Sequence, residues 1–123
     1  MYQLTFSDQA IAALDKLDKL DQLVLMEQFS AFRPEKVETD EEIGRIKRGK
    51  HSYSRLRAVD FRIYFEILEN QTLYAHYILH RHTLADFVFR FKLPYREEDM
   101  IEQHQSFWKY LESLKKEEAE NGH

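Results

Sequence analysis

The segment Tyr53–Ile67 alternates apolar residues with arginines and tyrosines, and this pattern constrains the fold more than any other part of the chain. Successive side chains of a β-strand point to opposite faces, so the alternation predicts two strands, Tyr53–Arg57 and Phe61–Leu68. The second strand has an apolar face, which consists of Phe61, Ile63, Phe65 and Ile67. The other face is predicted to carry Tyr53, Arg55, Arg57, Arg62, Tyr64 and Glu66. A surface of guanidinium and phenol groups suits a polyanion.

The N-terminal part predicts one strand and two helices. Tyr2, Leu4 and Phe6 alternate with polar residues, as in a strand. Ser7 or Asp8 is expected to cap the first helix and Asp21 the second, and Pro34 to stop the second helix. A linker follows, and then a basic segment that contains Gly44 and Gly49, which indicate a short strand or a loop.

The C-terminal part completes an α+β prediction. Thr72–His80 is a further strand, joined to the second by a turn at Glu69–Gln71, with an apolar face made of Leu73, Ala75, Tyr77 and Leu79. We expect a small twisted antiparallel sheet formed by the N-terminal strand and this three-strand meander, with the two N-terminal helices packed on one side. One or two helices follow. The first is capped by Thr83 and carries Leu84, Phe87, Val88 and Phe91.

Composition and charge predict one folded domain over residues 1–123, with an acidic helical extension from about residue 97. The chain has no cysteine, so it forms no disulfide and has no thiolate chemistry. No apolar run approaches the roughly 20 residues of a membrane span, and no signal peptide is evident, so we expect a cytoplasmic protein. Residues 43–62 hold seven basic residues and one acidic residue, whereas residues 97–120 hold eight acidic and three basic residues. The basic centre is the expected binding surface.

The residues of the basic centre, together with the later segment His80-Arg81-His82, suit the chemistry of a phosphodiester. Arginine donors match phosphate oxygens, and histidine transfers protons near neutral pH. Arg62, Arg81, His80 and His82 are the predicted catalytic residues, with Tyr53, Tyr64 and Glu66 as second choices for proton transfer. The predicted RNA- and phosphate-binding residues are Arg55, Arg57, Lys47, Lys50, Tyr53 and Tyr64. Arg57 has a structural alternative, an ion pair with Glu66 or Asp60.

The histidines also raise the possibility of a metal site. His76, His80 and His82 are separated by even numbers of residues, so they could lie on one face of a strand. The neighbouring arginines repel a cation, and no convincing carboxylate completes the set. We therefore predict no metal and no cofactor.

Three short motifs resemble the core signature of the RelE/ParE superfamily of bacterial toxins. They are Arg55-Leu-Arg57, Arg62-Ile-Tyr-Phe-Glu66 and Ile78-Leu-His-Arg81, and the resemblance spans about residues 2–87. It implies a type II toxin encoded beside a protein antitoxin. It also implies that Arg55, Arg62 and Arg81 bind the scissile phosphate. The chain departs from the pattern at Tyr53, where a lysine is expected, and at Phe87, where a catalytic tyrosine is expected.

The resemblance leaves three functions open. A RelE-like toxin inhibits translation by metal-independent cleavage of mRNA on the ribosome, and this is the leading expectation. A ParE-like toxin inhibits DNA gyrase without cutting, and a third possibility is a non-toxic binding or regulatory member. The expected partners are the antitoxin, the ribosome and mRNA. The last helix, anchored by Phe107, Trp108 and Leu111, either covers the basic face or the antitoxin groove, or completes the core.

Overall fold

A computed structural model describes residues 2–33, 43–83 and 105–121. The strands are β1 (Gln3–Phe6), β2 (Ile43–Arg48), β3 (His51–Ala58), β4 (Phe61–Leu68) and β5 (Thr72–His80). The helices with described bounds are α1 (Asp8–Asp15), α2 (Lys19–Ser30) and α3 (Gln105–Asn121). The predicted α+β class is confirmed.

The five strands form one sheet in the order β1-β5-β4-β3-β2. The basic segment forms β2, so the antiparallel meander has four strands rather than three. The prediction of an entirely antiparallel sheet is wrong in one respect, because β1 pairs in parallel with β5. These two strands are far apart in sequence, so no tight turn forces them to run in opposite directions.

The helix caps agree only in part with the prediction. Ser7 is the N-cap of α1, and its Oγ accepts a hydrogen bond from the amide of Ala10 at 3.2 Å. Asp18, and not Asp21, caps α2, because its carboxylate accepts the amide of Asp21 at 2.8 Å. The prediction that Thr83 caps the next helix is wrong, because residues 81–83 are all helical and the helix begins before Thr83. Pro34 and the rest of the predicted helix, including Phe87, lie outside the described residues.

The sheet separates two hydrophobic cores. Helices α1 and α2 pack on one face, where Phe29 and Phe32 of the α2 region meet Phe65 edge-on at 5.1 and 5.0 Å between ring centroids. The predicted apolar face of β4 is confirmed for Phe61, Ile63 and Phe65, which are buried there, whereas Ile67 is 44% exposed. Helix α3 packs on the opposite face, which we call the α3 face. The second core consists of Ile46, Tyr64, Tyr77, Leu79, Phe107, Trp108 and Leu111.

A β-bulge in β5 decides which residues reach the α3 face. Tyr64 pairs with Tyr77 and Phe65 with Ala75, which leaves His76 as the extra residue. The amide and Oγ of Ser7 donate to the carbonyls of Ala75 and His76 at 2.9 and 2.5 Å. The prediction that Leu73, Ala75, Tyr77 and Leu79 share a face is therefore wrong. Tyr77 and Leu79 lie in the second core.

Tight turns connect the meander. Val59 has a φ of 57° in the two-residue β3–β4 hairpin, and Gly49 has a φ of 62° in the β2–β3 hairpin. Asn70 and Gln71 also have positive φ, at 61° and 55°, and the predicted turn at Glu69–Gln71 is confirmed. These conformations match the right-handed twist of the flanking strands.

Candidate nucleic-acid interface

The arginines of β3 and β4 share the α3 face, as the alternation predicts. Arg57 stands directly opposite Arg62 in the antiparallel register, next to the β3–β4 hairpin. Both side chains are partly buried, and Arg62 Nη1 donates to the carbonyl of Phe61 at 2.9 Å. Arg55 is paired with Tyr64, further from the hairpin. Three guanidinium groups therefore lie along adjacent strands of one face.

Arg55 is buried, although its charge suggested an exposed ligand-binding group. Only 3% of it is exposed. Its guanidinium lies against Gly44, its partner on β2, so closely that a Cβ at position 44 would be 2.6 Å from Nη2. The missing side chain of Gly44 provides the space that this guanidinium occupies. Arg55 is thus a packed residue of the α3 face.

The prediction that the tyrosines form an open surface is wrong, because α3 covers them. Tyr64 is 0% exposed, and Tyr53 stacks on Trp108 with 4.9 Å between ring centroids. Arg48 fixes this arrangement: it lies over the Trp108 ring at 5.5 Å and pairs with Glu112 at 3.2 Å. Contact with the apolar side of α3 removes these rings from water, which is energetically favourable. The helix completes a core, which is one of the two roles expected for it.

Burial also removes the tyrosines as proton acceptors. Burial, followed by the nearby charge of Glu66, raises the pKa of Tyr53 above its usual 10.0. Burial, followed by the neighbouring Tyr53, raises the pKa of Tyr77 to about 12. A phenol that keeps its proton at neutral pH is a poor general base.

Arg81, His80 and His82 lie at the end of the sheet that carries the β3–β4 hairpin. The Arg81 amide donates to the Asp60 carbonyl at 2.8 Å, and its guanidinium Nε lies 3.5 Å from the Asp60 carboxylate. The His80 ring packs edge-on against Phe61 at 5.0 Å, so it faces the first core, on the other side of the sheet from Arg62. The sheet thus separates His80 from the arginine pair, and only their common position at one end brings them near each other.

The two histidines have a defined hydrogen-bond arrangement. Their rings stack at 4.6 Å, and the His82 amide donates to Nδ1 of His80 at 3.1 Å. An accepted hydrogen bond at Nδ1 places the proton of the neutral His80 ring on Nε2. His80 is therefore arranged as a donor through Nε2, and the exposed His82 is the better candidate for a base.

The predicted lysines lie at the opposite end of β3. Lys50 is in the β2–β3 hairpin, and Lys47 pairs with Ser52, on the face away from the arginines. Both are exposed, but the structure does not bring them together with Arg57 and Arg62.

The structure contains a cluster of two histidines and a glutamate that the sequence analysis does not predict. One carboxylate oxygen of Glu66 lies 3.0 Å from Nδ1 of His51 and 3.0 Å from Nε2 of His76. Strand parity places His51 on the face of Tyr53 and His76 on the face of Tyr74, which is opposite Glu66, but only the register brings the three side chains together. Across the described ranges, no group of three or more histidine, aspartate or glutamate side chains is arranged to hold a metal ion.

Comparison with known proteins identifies the fold. The sequence matches no protein family, and a search of curated proteins finds no relative. The structure resembles the archaeal RelE–RelB complex from Pyrococcus horikoshii, with a TM-score of 0.53 and 17% identity over 65% of this chain and 94% of the other. The RelB–RelE antitoxin–toxin complex from Methanococcus jannaschii has a TM-score of 0.46 and 23% identity, over 68% and 96% of the two chains. The isolated RelE toxin from E. coli has a TM-score of 0.45 and 14% identity, over 74% and 99%.

The chain therefore has a RelE-like α+β fold. None of its described helices is long and apolar enough to cross a membrane.

Proposed function

We propose that this chain is the toxin of a type II toxin–antitoxin pair and that it inhibits translation by cleaving mRNA on the ribosome. The observation that carries the proposal is the register that sets Arg57 opposite Arg62 on a RelE-like sheet, beside the hairpin that Arg81 contacts. Two guanidinium groups in direct register concentrate positive charge at this end of the sheet, and that charge attracts an anion. A phosphate of single-stranded RNA is such an anion. The partner would be an antitoxin encoded next to the gene, and the site of action the cytoplasm.

The cleavage is a transesterification that requires no water. A base removes the proton of the 2′-hydroxyl, the 2′-oxygen attacks the adjacent phosphorus, and the 5′-oxygen leaves with a proton. The products are a 2′,3′-cyclic phosphate and a 5′-hydroxyl. Arg57, Arg62 and Arg81 would stabilise the charge that develops on the phosphate oxygens. His82 would act as the base, the departing 5′-oxygen would take its proton from solvent, and the neutral His80 ring would serve only as a hydrogen-bond donor through Nε2.

A second candidate is a non-enzymatic inhibitor of DNA gyrase. Two observations favour it: the His80 ring is on the other face from Arg62, and the pKa values of Tyr53 and Tyr77 are raised. In that case the arginine pair would bind a partner without any proton transfer.

The proposal is tested by inducing the gene in a bacterial host and measuring growth. Wild-type protein should arrest growth, and Arg62→Ala or Arg81→Ala should relieve the arrest while circular dichroism shows a folded chain. Lys19→Ala, which removes a cation from the exposed start of α2, is the matched control and should stay toxic. Full toxicity of both arginine variants would show that the phosphate-binding assignment is wrong.

A further inference from the structure

The β2–β3 hairpin forms a basic arm at the end of the sheet opposite the arginine pair. Residues 43–50 contain Arg45, Lys47, Arg48 and Lys50 and no acidic residue. Arg45, Lys47 and Lys50 are exposed, and none of these three forms an ion pair with the described side chains, which are those of residues 2–33, 44–83 and 105–113. Their charge is therefore available to attract a polyanion.

An exposed imidazole stands at the base of this arm. The side chain of His51, the first residue of β3, is 61% exposed. One face of its ring stacks on Tyr53 with 5.8 Å between centroids and 27° between planes. Tyr53 in turn stacks on Trp108 at 4.9 Å. His51 is thus the open end of a row of three rings.

Hydrogen bonds hold the His51 ring in this orientation. Its Nδ1 lies 3.0 Å from Oε1 of Glu66, and His76 fixes the same oxygen from the other side, also at 3.0 Å. A ring that is already oriented loses little conformational entropy when a ligand stacks on it. A flat, exposed ring next to exposed cations matches an unpaired nucleobase and its phosphates.

We propose that the β2–β3 hairpin is a second binding site, for single-stranded RNA, in which a base stacks on His51. Lys50, at the adjacent turn, is placed for the neighbouring phosphate, and Arg45 and Lys47 add attraction from the other face. His51 and Arg57 are six residues apart on one strand, or about 20 Å at the usual rise per residue, too far to hold the same phosphate. The site requires no cleavage and does not depend on the proposed toxicity.

Two substitutions of His51 separate stacking from a structural role. His51→Phe keeps a ring and loses the bond to Glu66, whereas His51→Gln keeps a hydrogen-bond donor and loses the ring. Binding of a fluorescent RNA of about 12 nucleotides to the full-length protein is measured by anisotropy. We expect His51→Phe to bind as wild type does and His51→Gln to bind about tenfold more weakly. The reverse order would overturn the proposal, because it would assign His51 to the Glu66 bond.

Salt dependence tests the cations. Replacing Lys47 and Lys50 together with glutamine should lower the slope of log affinity against log salt by at least about 0.7, the value for the single-strand phosphate contact of Lys50. The control pair Lys16→Gln and Lys19→Gln, exposed on the helical side, should leave the slope unchanged. An equal change in both pairs would contradict a localised site.

This test and that of the proposed function fail independently. If wild-type protein arrests growth but binds no RNA at low salt, the hairpin site is wrong and the toxin proposal stands. If the hairpin binds RNA and the protein neither arrests growth nor inhibits translation, the toxin proposal is wrong and the hairpin site stands.

Discussion

At the scale of single residues, the α3 face contains one close contact between a glycine and an arginine. The guanidinium of Arg55 occupies the space that a side chain at Gly44 would fill. Gly44 has no positive φ, so alanine fits its backbone, and the cost of a substitution falls on Arg55. The position of a buried charge is thereby coupled to the absence of a single methyl group.

Gly44→Ala should destabilise the protein by about 1–3 kcal/mol, because the added methyl group displaces a packed guanidinium. Denaturant unfolding of Gly44→Ala, Arg55→Ala and the double variant measures the coupling. The double variant should cost less than the sum of the two single variants. Gly49→Ala is the control: its φ of 62° makes it costly in open space, and Arg55→Ala should not rescue it. Simple additivity for positions 44 and 55 would refute the contact.

Val59 is a second residue-scale feature, because a β-branched side chain rarely adopts a φ of 57°. It is exposed at the tip of the β3–β4 hairpin, beside Arg57 and Arg62. Val59→Asn should stabilise the fold by about 1 kcal/mol, since asparagine tolerates this conformation. Thermal unfolding measures the gain, and a lower melting temperature would contradict it. Val59→Ala, which keeps a Cβ and loses the branch, should lie between wild type and Val59→Asn.

The sequence predicted the faces of these residues better than their exposure. The alternation places Arg55, Arg57 and Arg62 together, and the register confirms it. Burial of Arg55 follows from Gly44 on another strand, which no local pattern contains. The pairing of Glu66 with two histidines likewise requires the three-dimensional register.

At the scale of elements, α3 is part of a core rather than a cover that lifts easily. Phe107, Trp108 and Leu111 are nearly completely buried against Tyr64 and the rest of the second core. Burying one large apolar side chain contributes about 1.5–3 kcal/mol to the free energy of unfolding. Removing the helix would lose several such contributions at once. The surface proposed to bind a polyanion is therefore restricted to the two ends of the sheet.

Leu111→Ala should destabilise the protein by about 2–5 kcal/mol, through lost burial and a residual cavity. Ser113→Ala, on the exposed side of the same helix, should change stability by less than about 0.5 kcal/mol. The emission of Trp108, the single tryptophan, follows unfolding of the second core directly. Equal stability of the two variants would mean that α3 does not pack as described.

The β-bulge explains why alternation predicts the correct face for Leu73 and Ala75 and the wrong face for Tyr77 and Leu79. The apolar residues of β5 alternate from Leu73 to Tyr77, and the run Tyr77-Ile78-Leu79 fits either face, so the sequence does not locate an extra residue. The bulge is stabilised by Ser7, which lies nearly seventy positions away and donates to the bulge carbonyls. Contacts of such separation are invisible to a period-two pattern.

At the scale of the whole molecule, burial of Tyr77 in the second core makes the stability of the fold depend on alkaline pH. The pKa of Tyr77 is raised from 10.0 to about 12 in the folded protein. A raised pKa means that folding favours the protonated phenol, so its contribution is complete below pH 10 and is lost as the pH rises towards 12. Stability should fall by an amount on the order of 2 kcal/mol across that range.

Denaturant unfolding between pH 9 and pH 12 measures this loss, and ultraviolet absorbance follows phenolate formation. Tyr77→Phe should show a shallower decline, because its ring has no proton to lose. An identical decline in both proteins would contradict the assignment to Tyr77.

The overall architecture was largely predictable, and its long-range pairing was not. Strand and helix periodicity led to the α+β class, and the short turns led to the meander. The parallel pairing of β1 with β5 joins the two ends of the sheet-forming sequence and leaves no local trace.

The central claim, that the chain cleaves ribosome-bound mRNA with its arginine end, is tested most directly in a translation reaction. Purified full-length protein is added, and the 5′ ends of the mRNA are mapped by primer extension. The account predicts cuts in phase with codons that appear only when ribosomes are present and disappear with Arg62→Ala. Intact mRNA and undiminished translation in the presence of the wild-type protein would contradict the account. Intact mRNA, together with inhibition of gyrase in a separate supercoiling assay, would establish the non-enzymatic alternative.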